Sequence, residues 1–337
     1  MKRISLNEPN QLAMREVEEP TLKDGEALVR VRRIGICGTD YHAFRGRQPF
    51  FEYPRVLGHE LAGEVVKVQA NGSAFSAGDK VTIVPYLECG QCIACLSGKP
   101  NCCSQLQVLG VHADGGMQEY FAVPVSHLMK TSEISLDAAA TVECLSIGAH
   151  AVRRADIKKG EFALVIGAGP IGLGVMQFAQ LAGAKVIAMD MNQGRLDFCK
   201  TWAKVDYTVN ASENPAEEMR RITNGQFPTV VFDATGNAKS MSGAYQYAAH
   251  GGRIVYVGLV QADLSFPDPE FHKRELTILS SRNATVEDFE NVIEMIRQGH
   301  VDTDAFITSR TPFDQIIDKF EYFMTPESGT IKAMITL

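Results

Sequence analysis

The sequence predicts an α/β chain in two parts, a β-rich part that should carry the chemistry and a doubly wound parallel sheet. Three observations predict it. Up to about residue 145, short stretches alternate apolar and polar residues between turn signals, the two-residue period of strands with one solvated face. From Glu161 onward, apolar strand runs alternate with helix-length runs, the pattern of a parallel sheet covered on both faces. Inside the first part lies a cysteine cluster, Cys89, Cys92, Cys95, Cys102 and Cys103, that no ordinary core requires.

Length and composition set the class. The chain has 337 residues, enough for about two domains with sizeable cores. It is 45% hydrophobic and 22% charged, an ordinary globular balance. A formal net charge of -7 argues against a general nucleic-acid or anionic-membrane binder. The basic residues Lys2 and Arg3 are followed by no apolar run, so no secretory signal is expected and a reducing cytoplasm is. There a cysteine cluster means metal before disulfide. The segment from Phe162 to Ala184 carries no charge and has the length of a membrane span. Its glycines, Pro170 and preceding strand pattern make it a buried strand, turn and helix instead.

Taken in order, Leu28 to Gly35 reads as a strand after the Asp24-Gly25 turn, and Leu61–Val68 and Lys80–Val84 continue the pattern. Ile34 to Glu60 brings a thiol, an imidazole and a carboxylate into one short segment: Cys37, His59 and Glu60. That mixed donor set suits Zn²⁺, whereas Mg²⁺ or Ca²⁺ would want oxygens only. Cys37 and His59 are too far apart to share a helix face, so a turn after Ile36 must meet a turn at Gly58. Cys89, Cys92, Cys95 and Cys103 have the spacing of a closed tetrahedral Zn²⁺ site, with Cys103 rather than Cys102 completing it. Such a site has no position for substrate and would hold a lobe together. Glu143 is an acid in an apolar stretch, where a charge needs a partner and a metal would serve.

In the second part, Phe162–Ile166 is a buried strand. Gly167-Ala-Gly169-Pro170-Ile171-Gly172 then opens a helix, and Lys185–Met189 is a strand ending at Asp190. Together these form a dinucleotide fingerprint. Gly167 allows the tight turn, Gly169 lets backbone amides approach a pyrophosphate, and Gly172 brings helix and strand close. Asp190 would bind the adenosine ribose hydroxyls and repel a 2′-phosphate, favouring NAD over NADP. Arg195 is a candidate for the adenine pocket, and Thr235, Val257 and Gly258 in the next loops are further cofactor candidates. Thr285 should cap a helix over Val286–Arg297, and Ile331–Leu337 should return as a strand to the first part. The expected organisation is 1–147, 148–284 and 285–337, the last segment completing the first domain.

These motifs, in this order and over essentially the whole chain, resemble the zinc-dependent medium-chain dehydrogenases. The residues that carry the likeness are Gly35-Ile-Cys37-Gly-Thr39-Asp40, Gly58-His59-Glu60, the four-cysteine lobe and Gly167–Gly172. The polyol and sugar-acid branch is the nearest in pattern, its bacterial L-galactonate and L-gulonate 5-dehydrogenases included. There Glu143 would be followed by proline, where this chain has Cys144. The resemblance implies a GroES-like catalytic domain with a Rossmann domain inserted. It also implies a catalytic Zn²⁺ on Cys37, His59 and Glu143 with Glu60 exchanging, and a proton relay through Thr39 and His42. Hydride would pass from a secondary hydroxyl of a sugar acid to NAD, in a homodimer or homotetramer. A polyol or L-threonine 3-dehydrogenase and a non-catalytic NAD-binding sensor are the alternatives. Arg45, Arg47, Arg282 and Lys273 are candidate partners for a substrate carboxylate.

Overall fold

The computed structural model describes residues 1–337. The chain divides into two compact units, one made of Met1–Glu143 and Thr285–Leu337, the other of Cys144–Ala284. The first division therefore falls before residue 147, inside the helix Leu136–Ala155. That helix was not legible as one from its periodicity, because it is apolar nearly all round. Its start is marked by Ser135, whose hydroxyl accepts the Ala138 N–H at 3.1 Å.

The first unit is built on the strand Glu26–Ile36, whose Ala27, Val29, Val31 and Ile34 are buried. It pairs antiparallel with Glu60–Gln69 on one side and with the return strand Lys332–Thr336 on the other. Lys80–Ile83 and Leu128–Lys130 extend the sheet beyond Glu60–Gln69, and Ile307–Pro312 extends it beyond the return strand. Leu6, Leu57, Leu61, Ile83, Met117 and Phe320 pack into the same core. The register sets Gly35 opposite Glu60, so the exit of one strand lies beside the entrance of the next. A side chain at Gly35 would collide with Glu60.

The second unit is a six-stranded, wholly parallel sheet. Its order is Tyr207–Asn210, Lys185–Asp190, Phe162–Ile166, Val230–Asp233, Arg253–Tyr256, Thr277–Ser280. The order reverses between Phe162–Ile166 and Val230–Asp233, and such a switch point at the carboxyl ends is where open α/β sheets bind ligands. The uncharged stretch resolves into the strand Phe162–Ile166 and the helix Pro170–Leu181. No helix is long and apolar enough to cross a membrane.

Candidate active site and metal centres

Cys37 follows directly on the strand Glu26–Ile36 and is the N-cap of the helix Gly38–Phe44. Its N–H donates to Asp40 Oδ2 at 2.9 Å, which fixes the turn. The facing turn is made by Gly58, at φ +93, whose N–H donates to Asp40 Oδ1 at 3.4 Å. One buried carboxylate thus ties both turns, and ligand atoms of Cys37, His59 and Glu60 come within 4.8 Å of one another. His59 and Glu60 are buried, and His59 Nδ1 has no hydrogen-bond partner.

The electrostatics of the set favour a cation. Burial opposes a charge on His59, but the Asp40 carboxylate and the Cys37 thiol outweigh it and hold the imidazole pKa well above its usual value. Asp40 Oδ1 lies 3.7 Å from His59 Nδ1, in position to orient the ring. Burial pushes Asp40 up. The return strand supplies a residue that sequence reasoning missed: Lys332, fully buried, donates to Glu60 and, at 3.1 Å, to the Ile36 carbonyl. The only sequence signal was a lysine at the head of an apolar strand. The donor chemistry of Cys37, His59 and Glu60 fits a zinc ion, and with Asp40 beside Nδ1 the other ring nitrogen of His59 would face it.

Glu143, expected as a ligand, is not in this set. It is buried on the helix Leu136–Ala155 and accepts a short hydrogen bond on Oε1 from the Tyr86 hydroxyl. Burial pushes its carboxyl up to about 7, against the pull of His59. Its charge nevertheless acts on His59 and Glu60, so it stands beside the donor set.

Thr39 and His42 lie on the helix that Cys37 caps, three residues apart and so on one face, with His42 exposed. Among the candidate carboxylate partners, Arg45 is bound to Glu321 at 2.9 Å and to Asn10 at 2.8 Å. Lys273 is bound to Glu270 and Arg282 also has a partner. Arg47 is exposed and has none of these ties.

Cys89, Cys92, Cys95 and Cys103 converge with their sulfurs within 4.8 Å of one another, while Cys102 is exposed. The Cys95 and Ser104 N–H groups pull the Cys92 thiol down to about 5, and burial pushes Cys95 up to about 12. N–H groups aimed at sulfur stabilise thiolate, the form that binds metal. This cluster could hold a closed, structural ion.

In the second unit, Gly167 has φ +97 and the helix Pro170–Leu181 begins at Pro170 with Gly169 as N-cap. A Cβ on Gly172 would strike the Gly167 carbonyl, whereas one on Gly169 would meet nothing within 4 Å. That open cradle at a helix N-terminus fits a pyrophosphate, and Ile171 lies in the helix's first turn. Asp190 ends its strand as expected, but its oxygens already accept the Ala168 and Asn192 N–H groups at 2.7 and 2.8 Å. A carboxylate has lone pairs to spare for ribose hydroxyls. Arg195 is an exposed residue of the following helix. Thr235 donates to Asp233 Oδ1, and the Val257 and Gly258 N–H groups donate to the Asp233 carbonyl, which ties the two loops together.

Known proteins agree with this geometry. Residues 23–133 match the alcohol dehydrogenase GroES-like domain and residues 170–298 the zinc-binding dehydrogenase domain. The L-galactonate-5-dehydrogenase of Escherichia coli (strain K12) is 42% identical over 336 residues, covering 100% of this chain and 99% of that protein. The L-arabinitol 4-dehydrogenase of Hypocrea jecorina is 32% identical, covering 98% of this chain and 90% of its own. Among solved structures, an alcohol dehydrogenase (rspB) from E. coli CFT073, complexed with NADH, superposes with a TM-score of 0.93 at 33% identity. That match covers 100% of this chain and 99% of the other. With a mixed-donor zinc pocket, a four-cysteine lobe, a dinucleotide cradle and these full-length likenesses, the chain belongs to the zinc-dependent medium-chain alcohol dehydrogenases, with a GroES-like catalytic domain and a Rossmann cofactor domain.

Proposed function

We propose that the protein oxidises a secondary hydroxyl of a sugar acid of the L-galactonate or L-gulonate type with NAD⁺. The observation that carries the catalytic part is the convergence of half-buried Cys37 with buried His59 and Glu60, with Asp40 beside His59 Nδ1. The sugar-acid part rests on the full-length likeness to L-galactonate-5-dehydrogenase. When bound, zinc supplies Lewis acidity to the hydroxyl and the dinucleotide accepts the hydride.

The chain's own residues do the rest. Cys37 and His59, with Glu143 and the exchangeable Glu60 as the available carboxylates, would hold the ion, with Asp40 orienting His59 and Lys332 balancing Glu60. Thr39 accepts a hydrogen bond from the substrate hydroxyl, and the exposed His42 on the same helix face passes its proton to water. Gly169 and the first turn of its helix take the pyrophosphate, with Asp190 on the adenosine ribose and Arg195 beside the adenine. Thr235, Val257 and Gly258 line the nicotinamide half. Arg47, exposed and unengaged by the ion pairs that hold Arg45 and Lys273, is the cation offered to the substrate carboxylate. The four-cysteine lobe holds a structural zinc. All eight cysteines are free, in keeping with work in the cytoplasm. The edge strand Thr277–Ser280 supports a homo-oligomer formed by edge pairing.

The test is reduction of NAD⁺ and NADP⁺ by the purified protein with L-galactonate, L-gulonate, L-idonate, sorbitol, L-arabinitol and L-threonine, before and after chelation. Chelator-sensitive turnover of an aldonate with NAD⁺ is expected. Preference for sorbitol or L-arabinitol would replace the sugar-acid reading with a polyol one. Binding of NADH without turnover of any alcohol would favour a sensor.

A further inference from the structure

Asp233 ends the strand Val230–Asp233, at the switch point of the parallel sheet, and is fully buried. Its carboxylate accepts three hydrogen bonds, all from neutral donors. The Thr235 N–H and hydroxyl reach Oδ1 at 2.9 and 2.6 Å, and the Ser240 hydroxyl reaches Oδ2 at 2.6 Å. A buried carboxylate held by neutral donors alone is costly, and a position that served only packing would be filled as well by an apolar side chain. Its hydrogen bonds show what it controls instead.

The Thr235 hydroxyl gives its one proton to Asp233 and accepts the Asn237 N–H at 3.1 Å, so the side chain is held from two sides. Its methyl group is turned toward the cradle: Cγ2 lies 3.2 Å from where a Cβ on Gly167 would stand. The backbone is tied there too, because the Ala234 N–H donates to the Ile166 carbonyl at 2.9 Å. Thr235 is an exposed residue, within reach of whatever fills the cradle. We propose that Asp233 is a positioning residue that locks the Thr235 rotamer, so that the threonine offers the bound dinucleotide a methyl group and not a hydroxyl. Such a contact suits a ring or sugar face of the dinucleotide and not its pyrophosphate. This rests on the reading of Gly167–Gly172 as the cofactor cradle.

The test follows NADH affinity by fluorescence titration, stability by urea unfolding and, with L-galactonate, KM for NAD⁺ against kcat. Thr235→Ser keeps the hydroxyl and removes the methyl. It should weaken NADH binding by about fourfold, the worth of one buried methyl, at unchanged stability. Asp233→Asn turns an amide toward one of the hydroxyls and frees Thr235. It should weaken NADH binding by about tenfold and raise KM for NAD⁺ to match, with kcat nearly unchanged. Ser240→Ala removes only the bond to the other oxygen, so it should lower stability and leave NADH affinity as in wild type. Wild-type NADH affinity in Thr235→Ser would overturn the proposal. So would an Asp233→Asn protein that loses stability as Ser240→Ala does and binds NADH normally. Should Asp233→Asn fail to fold, Thr235→Ser and Ser240→Ala decide between them. If Gly169→Ala also binds NADH as wild type does, the cradle reading itself fails, whatever Asp233 does.

Discussion

Lys332 shows how much one side chain can decide. Its ammonium is fully buried and is tied to the Glu60 carboxylate and the Ile36 carbonyl, at the point where the return strand meets Gly35 and Ile36. Removing one member of a buried ion pair strands the other charge, at a cost of about 3–5 kcal/mol. Lys332→Met should lose about that much stability in chelator-treated protein, measured by urea unfolding, with part of it recovered on adding zinc because Glu60 gains a new partner. A loss below about 1 kcal/mol, the level of an exposed pair, would mean that Glu60 is solvated by another route. At the same scale, Gly169 and Gly172 separate structure from function. A Cβ on Gly172 meets backbone, so Gly172→Ala should destabilise the protein by about 1–3 kcal/mol. Gly169→Ala has room for its Cβ in the fold and should leave the melting temperature unchanged while lowering NADH affinity, read by fluorescence titration. Equal effects of the two on stability would refute that division.

At the scale of elements, the amino ends of two parallel strands are joined by a charge pair. Arg253 binds Glu161 through both terminal guanidinium nitrogens, at 2.7 and 3.0 Å, and both side chains are about one-fifth exposed. Burial raises the Glu161 pKa, but Arg253, the Lys158 N–H and the Thr229 hydroxyl prevail and lower it from 4.5 to about 2. A carboxyl whose pKa is depressed on folding contributes stability above its unfolded pKa and loses it as the pH falls through the folded one. Glu161→Gln should therefore cost about 3 kcal/mol at pH 7. The gap to wild type should narrow between pH 4.5 and about 2. Urea unfolding of both proteins across that range tests it, and a gap independent of pH would assign the cost to packing instead. The helix Val286–Arg297 is a local counterpart: Thr285 and Asp288 form its capping box, and it begins where the residues alone predict.

For the whole molecule, the open edge Thr277–Ser280 is the feature with the widest consequence. It has one neighbour in the sheet, and Ile278 and Leu279 are half-buried. An exposed edge with apolar side chains is a template for pairing with a second copy unless a charge blocks it. If the proposed homo-oligomer pairs along this edge, Leu279→Lys should give a smaller species in sedimentation velocity, with the circular dichroism of the wild type. An unchanged sedimentation coefficient would mean that this edge does not hold the copies together.

The sequence by itself determined what depends on local chemistry. Strand and helix periods, the Thr285 cap, the glycine cradle closing on Asp190 and the spacing that selects Cys103 over Cys102 all act within a few residues of one another, and all are present as read. It also determined that Cys37, His59 and Glu60 meet, because a strand exit and a strand entrance had to be joined by two turns. The tertiary structure alone decided which distant side chain restrains each of the two buried carboxylates. Lys332 reaches Glu60 across 272 residues of chain and Tyr86 reaches Glu143 across 57. A buried charge finds its partner through packing, and neither periodicity nor spacing records which distant strand or loop will deliver it.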